Sequence, residues 1–143
     1  MIRSAEARWS GDLKAGKGQL KVASGAFAGA YSFISRFQGS GDTNPEELLG
    51  AAHAGCFSMA LSNTLAQGGH VPEYVDTKAQ VFLEQTGPAS SAITKIHLVV
   101  RGKVAGLSAE EFVRLAEQTK DGCIISQALK AVPMTLDAEL VAS

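Results

Sequence analysis

Two cysteines in 143 residues are too few for a disulfide scaffold. Lysine and arginine (13) do not outnumber aspartate and glutamate (14), and no basic stripe is visible. That balance argues against nucleic acid or an anionic membrane surface as a partner. The opening residues, MIRSAEARWS, lack an apolar h-region. The expectation is a cytoplasmic protein, in which a disulfide is more often catalytic than structural. No P-loop, GxGxxG or GxSxG is present, so no cofactor is expected. There is no internal repeat, low-complexity tract or linker, and residues 1–143 are expected to form one domain with a real core. The uncharged run from Leu48 to Leu65 reaches the length of a membrane span. It is mostly alanine, glycine and serine, contains His53 and Asn63, and has no flanking Lys/Arg cluster, so a span is rejected.

What is present is organised around Thr43–Gly69, which reads as one long helix. Asn44 is a good N-cap, Pro45 suits the first helical position, and Glu46 and Glu47 put negative charge in the first turn. Gly68 and Gly69 stop the helix. Because it is apolar nearly all round, the helix is expected to be buried. Its small residues, among them Gly50, Ala54, Gly55 and Ala60, would let another backbone come close. Cys56 sits in its middle.

Before this helix, Ile2–Trp9, Gln19–Ala23 and Tyr31–Phe37 are expected to form an antiparallel meander. In the last of them Tyr31, Phe33, Ser35 and Phe37 share one face, and Ser32, Ile34 and Arg36 the other. Gln38–Thr43 is the expected turn into the helix. After it, Tyr74–Gln85 and Ala92–Lys103 alternate as two long strands joined through TGPASS. Ser108 with Glu111 reads as a capping box opening a helix that Asp121-Gly122 ends. Ile124–Lys130 is a second short helix and Pro133–Val141 a last strand. The order implies α+β with mostly antiparallel sheet.

Few residues offer chemistry. Cys56 alone fits a buried core position as well as a reactive one. Cys123 follows a helix-ending glycine and precedes another helix, a setting that lowers a thiol pKa. The cysteines are 67 positions apart and bridge only if the fold brings their Cα atoms to about 4.4–6.8 Å. Arg36, in a strand apolar on both faces, needs an anion partner or snorkels to water. A metal site from His53, Cys56 and Cys123 would lack a fourth ligand and any ligand spacing, so no metal is expected. Glu46 and Cys56, ten residues apart, lie about 15 Å apart along a straight helix. Either Arg36 bridges them, the helix start bends, or the site borrows residues from a partner.

The segments GDLKAGKG (11–18), SRFQG (35–39), TNPEELLGAAHAGCFSMAL (43–61) and DGCIISQALK (121–130) together resemble the OsmC/Ohr family of thiol-dependent peroxidases, its OsmC branch above all. The resemblance covers about residues 5 to 140. It implies an OsmC-like α+β fold, with mostly antiparallel sheets around long central helices in an intertwined homodimer. It implies reduction of organic hydroperoxides, and less well of hydrogen peroxide, with dithiols such as a lipoyl protein or a small dithiol as reductant. By the same resemblance Cys56 is the peroxidatic cysteine, Cys123 the resolving one, and Arg36 and Glu46 the catalytic ion pair. Relatives usually carry proline after the second cysteine, where this chain has Ile124. Phe37, Phe57 and Met59 are candidates for lining an alkyl pocket, or plain core. The competing reading is a non-catalytic small-ligand binding or stress-interaction protein with inert cysteines.

Overall fold

The computed structural model describes residues 1–39 and 41–142. It contains two compact units, residues 1–48 and 49–143.

The first unit is a three-stranded antiparallel meander of β1 (Ala5–Ser10), β2 (Lys17–Val22) and β3 (Ala28–Tyr31), followed by α1 (Phe33–Phe37). Trp9 anchors the first turn. Its ring lies 5.5 Å from that of Tyr31, and its indole N–H donates to the carbonyls of Gly11 and Asp12. The Asp12 carboxylate accepts from the Lys14 and Ala15 amides, which hold it below its usual pKa range. Gly18 faces the Tyr31 ring so closely that a Cβ there would clash with it.

The third strand departs from its expected extent. The alternation of Tyr31–Phe37 does not form a strand: β3 ends at Tyr31, and Phe33–Phe37 is helical. Serine chemistry overrides the period-two pattern. The Ser32 hydroxyl accepts from the Ser35 amide while the Ser35 hydroxyl accepts from the Ser32 amide, a reciprocal cap. Arg36 therefore sits in the last turn of a short helix, not on a strand face. The turn expected over Gln38–Thr43 includes Ser40, which lies outside the described residues.

The long helix, α2, runs unbroken over Pro45–Gln67. Asn44 caps it as expected, its side-chain oxygen accepting from the Glu47 amide at 2.8 Å. At the other end Gly69 adopts φ +86°, and the amides of Gly69 and His70 return to the carbonyls of Ala66 and Leu65. That is a Schellman stop, open to a glycine at this φ. The helix is not buried all round in the single chain. Its buried positions, Glu46, Gly50, His53, Phe57, Leu61 and Leu65, fall on one stripe of three- and four-residue steps. Ala52, Gly55, Met59, Asn63 and Ala66 lie exposed on the opposite side. Among the described residues no helix is long and apolar enough to cross a membrane.

In the second unit β4 (Tyr74–Gly87) and β5 (Ser90–Lys103) form an antiparallel hairpin, closed by the Gly87–Ser90 pair around Pro88 and Ala89. β6 (Met134–Leu140) pairs parallel to β5. A parallel neighbour needs a crossover, here α3 (Ala109–Gly122) and α4 (Ile124–Ala128). Ser108 caps α3 by accepting from the Glu111 amide, but the box is half-formed, because Glu111 pairs with Arg114 instead. The core joins Phe57, Leu61 and Leu65 of α2 to Ile96, Leu98 and Val100 of β5 and to Phe112 and Ala116 of α3. Each fully buried large side chain contributes ~1.5–3 kcal/mol. The α2 backbone comes close to β4: a Cβ on Gly50 would stand 3.3 Å from the Ala79 carbonyl oxygen.

Candidate active site

Each half of the expected constellation is assembled within its own unit. In the first unit Arg36 and Glu46 form a forked pair. Arg36 Nη2 donates to Glu46 Oε1 at 2.7 Å, and Nε donates to Oε1 and Oε2 at 3.1 and 3.2 Å. The carboxylate is nearly buried while the guanidinium stays half-exposed, stacked 5.3 Å from the Phe37 ring centre. A charge-assisted fork fixes the plane of the guanidinium as well as its position. The hinge between α1 and α2 is tied by the Ser35 hydroxyl, which donates to the Thr43 carbonyl at 2.8 Å. The Asn44 side-chain Nδ2 donates to the Ser35 carbonyl at 3.3 Å. These ties explain locally why a residue of α1 meets the first turn of α2.

In the second unit, Cys56 and Cys123 meet with their sulfurs 3.1 Å apart, both as free thiols. Cys56 lies on the flank of the buried stripe of α2 and is half-buried. Cys123 is 1 % exposed. It occupies the joint between two helices: its amide closes α3 on the Thr119 carbonyl, and its carbonyl accepts from Gln127 to start α4. The expected helix stop at Asp121-Gly122 thus falls one residue later, at the cysteine itself.

Two thiols this close influence each other's ionisation in opposite senses. Burial pushes the Cys56 thiol up, against the opposing pull of the Ile125 and Ile124 amides, and contact with Cys123 adds to the rise. Burial acts the same way on Cys123. There it is outweighed by the Ser126 amide, the Cys56 thiol, the Ser126 hydroxyl and the Ile125 amide, and the net shift is downward. Within this unit, then, Cys123 is the more acidic partner. Ile124 supplies one of the amides acting on Cys56. Proline at that position has no N–H and could not.

The motif residues His53 and Ser126, 73 positions apart, meet in the same unit. His53 Nε2 lies 2.7 Å from Ser126 Oγ, and both residues are buried. Burial lowers the His53 pKa, so the ring is neutral. From the sequence His53 offers itself only as a metal-ligand candidate, and Ser126 carries no signal beyond its place in the segment DGCIISQALK. Of the three candidate pocket residues, Phe57 is fully buried core, Met59 is 77 % exposed and Phe37 is exposed beside Arg36.

Known proteins resemble this chain in sequence and in fold. A family model described as "OsmC-like protein" matches residues 37–137. A protein named Peroxiredoxin OsmC from Escherichia coli (strain K12) is 46 % identical over 139 residues, covering 96 % of each chain. A protein of the same name from Shigella flexneri matches to the same extent. Among solved structures, the organic hydroperoxide resistance protein OhrB of Bacillus subtilis superposes with a TM-score of 0.68 at 20 % identity, covering 96 % of this chain and 98 % of the other. An organic hydroperoxide resistance protein OsmC from Legionella pneumophila gives 0.69 at 21 % identity, covering 97 % and 98 %. At such identities the two structures speak for the fold alone.

Proposed function

The chain belongs to the OsmC-like protein family, and on that premise we propose that it is a cysteine-based peroxidase reducing organic hydroperoxides to alcohols in defence against oxidative stress. One observation carries the reading: two cysteines 67 positions apart have their sulfurs 3.1 Å from each other. A binding protein with inert core cysteines gives no reason for that approach.

In this reading Cys56 is peroxidatic. Its thiolate attacks one peroxide oxygen of ROOH, the O–O bond breaks, and the other oxygen leaves as alkoxide and takes up a proton to give ROH. Cys56 is left as the sulfenic acid. The thiol is raised by burial, so the attacking thiolate needs a cation. Arg36 is the proposed source: it stabilises the thiolate and the charge developing on the peroxide oxygens. Glu46 holds the guanidinium in plane and neutralises it. Cys123 then attacks the Cys56 sulfenic sulfur, water leaves, and the disulfide is returned to two thiols by an external dithiol, a lipoyl protein or a small dithiol. The Sγ–Sγ approach means that this step requires little rearrangement within the second unit. No resident cofactor or metal enters the scheme. Residues 1–143 act as one OsmC-like domain, in a homodimer.

Peroxide turnover with dithiothreitol tests the reading. The wild type is expected to consume an alkyl hydroperoxide faster than hydrogen peroxide. Cys56→Ser is expected to be dead from the first turnover. Cys123→Ser is expected to reduce one equivalent and stop at the sulfenic acid, which a second equivalent drives to sulfinic acid. Mass spectrometry after one equivalent decides the roles. Oxygen added to Cys123 in the Cys56→Ser protein, at the wild-type rate, would reverse them. Slow thiols and no turnover in the wild type would favour the binding reading.

A further inference from the structure

The peroxidase scheme uses four side chains and leaves the buried His53–Ser126 pair without a part. Histidine in a core is commonly satisfied at both nitrogens, yet here Nδ1 is buried with no hydrogen-bond partner among the described residues. Only Nε2 is engaged, on the Ser126 hydroxyl at 2.7 Å. An unpaired acceptor is tolerated in a protein interior more readily than an unpaired N–H. The neutral ring therefore carries its proton on Nε2 and donates it to Ser126 Oγ. The serine has one proton of its own, and with one of its two lone pairs taken by the histidine that proton is free to point elsewhere. Ser126 stands three residues after Cys123 in the same short turn, and its amide and hydroxyl both draw the Cys123 thiol pKa down. In that tautomer the free hydroxyl proton of Ser126 is available to the Cys123 sulfur, one turn back on the same short helix. The amides that draw the Cys56 thiol down are a different pair, those of Ile125 and Ile124.

We propose that Ser126, oriented by His53, is a positioning residue for the resolving cysteine, turning Cys123 into the nucleophile that closes on the Cys56 sulfenic acid. The role rests on the peroxidase reading above. The step it serves is balanced: the Cys123 thiolate forms the S–S bond, the Cys56 S–O bond breaks, and the hydroxide that leaves takes a proton to become water. The hydroxyl of Ser126 holds the thiolate before attack. His53 prevents that hydroxyl from rotating to another acceptor. The partition of Cys56 sulfenic acid between disulfide and sulfinic acid is then set by a serine and a histidine that take no part in the peroxide-reducing step.

The test separates the two oxidation steps in the full-length protein. Rapid-quench mass spectrometry with tert-butyl hydroperoxide follows sulfenic acid and then disulfide. In Ser126→Ala and His53→Ala, sulfenic acid is expected to form within about twofold of wild type. Disulfide formation is expected to slow by about 10- to 100-fold, the effect of one hydrogen bond to a charged group, with a matching rise in sulfinic acid on Cys56. His53→Gln, whose side-chain amide offers a donor in place of Nε2–H, is expected to recover most of the disulfide rate. If Ser126→Ala does not fold, the His53→Ala and His53→Gln pair carries the same contrast. Wild-type disulfide rates in both alanine variants overturn the role. So does equal slowing of both steps without rescue by glutamine, which marks a purely structural pair. A wild type that forms no sulfenic acid at all overturns the peroxidase reading, and this role with it.

Discussion

Arg36 and Glu46 illustrate what a single pair contributes to stability and to chemistry. The carboxylate is 8 % exposed and accepts three of the arginine's donor contacts. Removing the arginine leaves a nearly buried acceptor unpaired, at a cost of about 1–3 kcal/mol. Part of that cost is recovered because water reaches the half-exposed guanidinium side. Arg36→Ala is therefore expected to fold, with a modestly lower Tm, and to lose most peroxidase activity at saturating reductant. It is also expected to shift the pH profile of Cys56 alkylation upward, measured in the Cys123→Ser background. A variant with wild-type turnover and an unmoved profile would remove Arg36 from the mechanism. An anion partner for Arg36 was one of two readings open in the sequence, the other being a side chain that snorkels to water; the structure pairs it with Glu46. The setting of Arg36 was not legible there: two serines three apart turned an alternating pattern into a helix. The signal was present as Ser32 and Ser35, a cap that the alternation of larger residues concealed.

At the scale of the element, α2 was readable at both ends and misread along its length. Asn44, Pro45 and Gly69 act at the termini as their local chemistry dictates. The lack of charge suggested uniform burial, yet only one stripe is buried in the chain. Within that stripe His53 was invisible as a partner of Ser126, because contacts over 73 positions leave no local pattern. The histidine gives the stripe a pH dependence. Burial lowers its folded-state pKa, while the unfolded chain titrates near the ordinary value of about 6.5. Above that value both states are neutral and the packing is fully effective. As pH falls through it, the unfolded state binds the proton first, and stability declines by up to about 1.4 kcal/mol per pH unit until the folded histidine protonates as well. Denaturant unfolding at pH 7.5 and pH 5.5 checks this. The wild type is expected to lose more stability over that interval than His53→Gln, and equal losses would show that the ring is not the group responsible.

The whole molecule is where the single chain is least self-sufficient. The side of α2 away from its core carries Ala52, Gly55, Met59, Asn63 and Ala66, without a formal charge and open to solvent. Met59 is 77 % exposed, and a groove of about 510 Å³ runs beside it, lined by Ser58, Met59, Ser62, Asn63, Ala66 and Val75. A surface helix of an ordinary monomer places charge on its outer face. This one places small residues there, over which another helix can come close. The occupant expected from the family resemblance is the same helix of a second copy, and a two-fold contact is self-complementary by symmetry. We therefore expect a homodimer at micromolar concentration, with a Tm that rises with protein concentration because association stabilises only the folded state. Met59→Glu puts a charge where the contact would form. It is expected to weaken association by at least about 100-fold, the cost of burying an unpaired charge, and to lower peroxidase activity if the site borrows residues across the interface. Sedimentation equilibrium of both proteins decides it. A wild type that sediments as a monomer with full activity would leave the exposed stripe without a partner and would place the complete site in one chain.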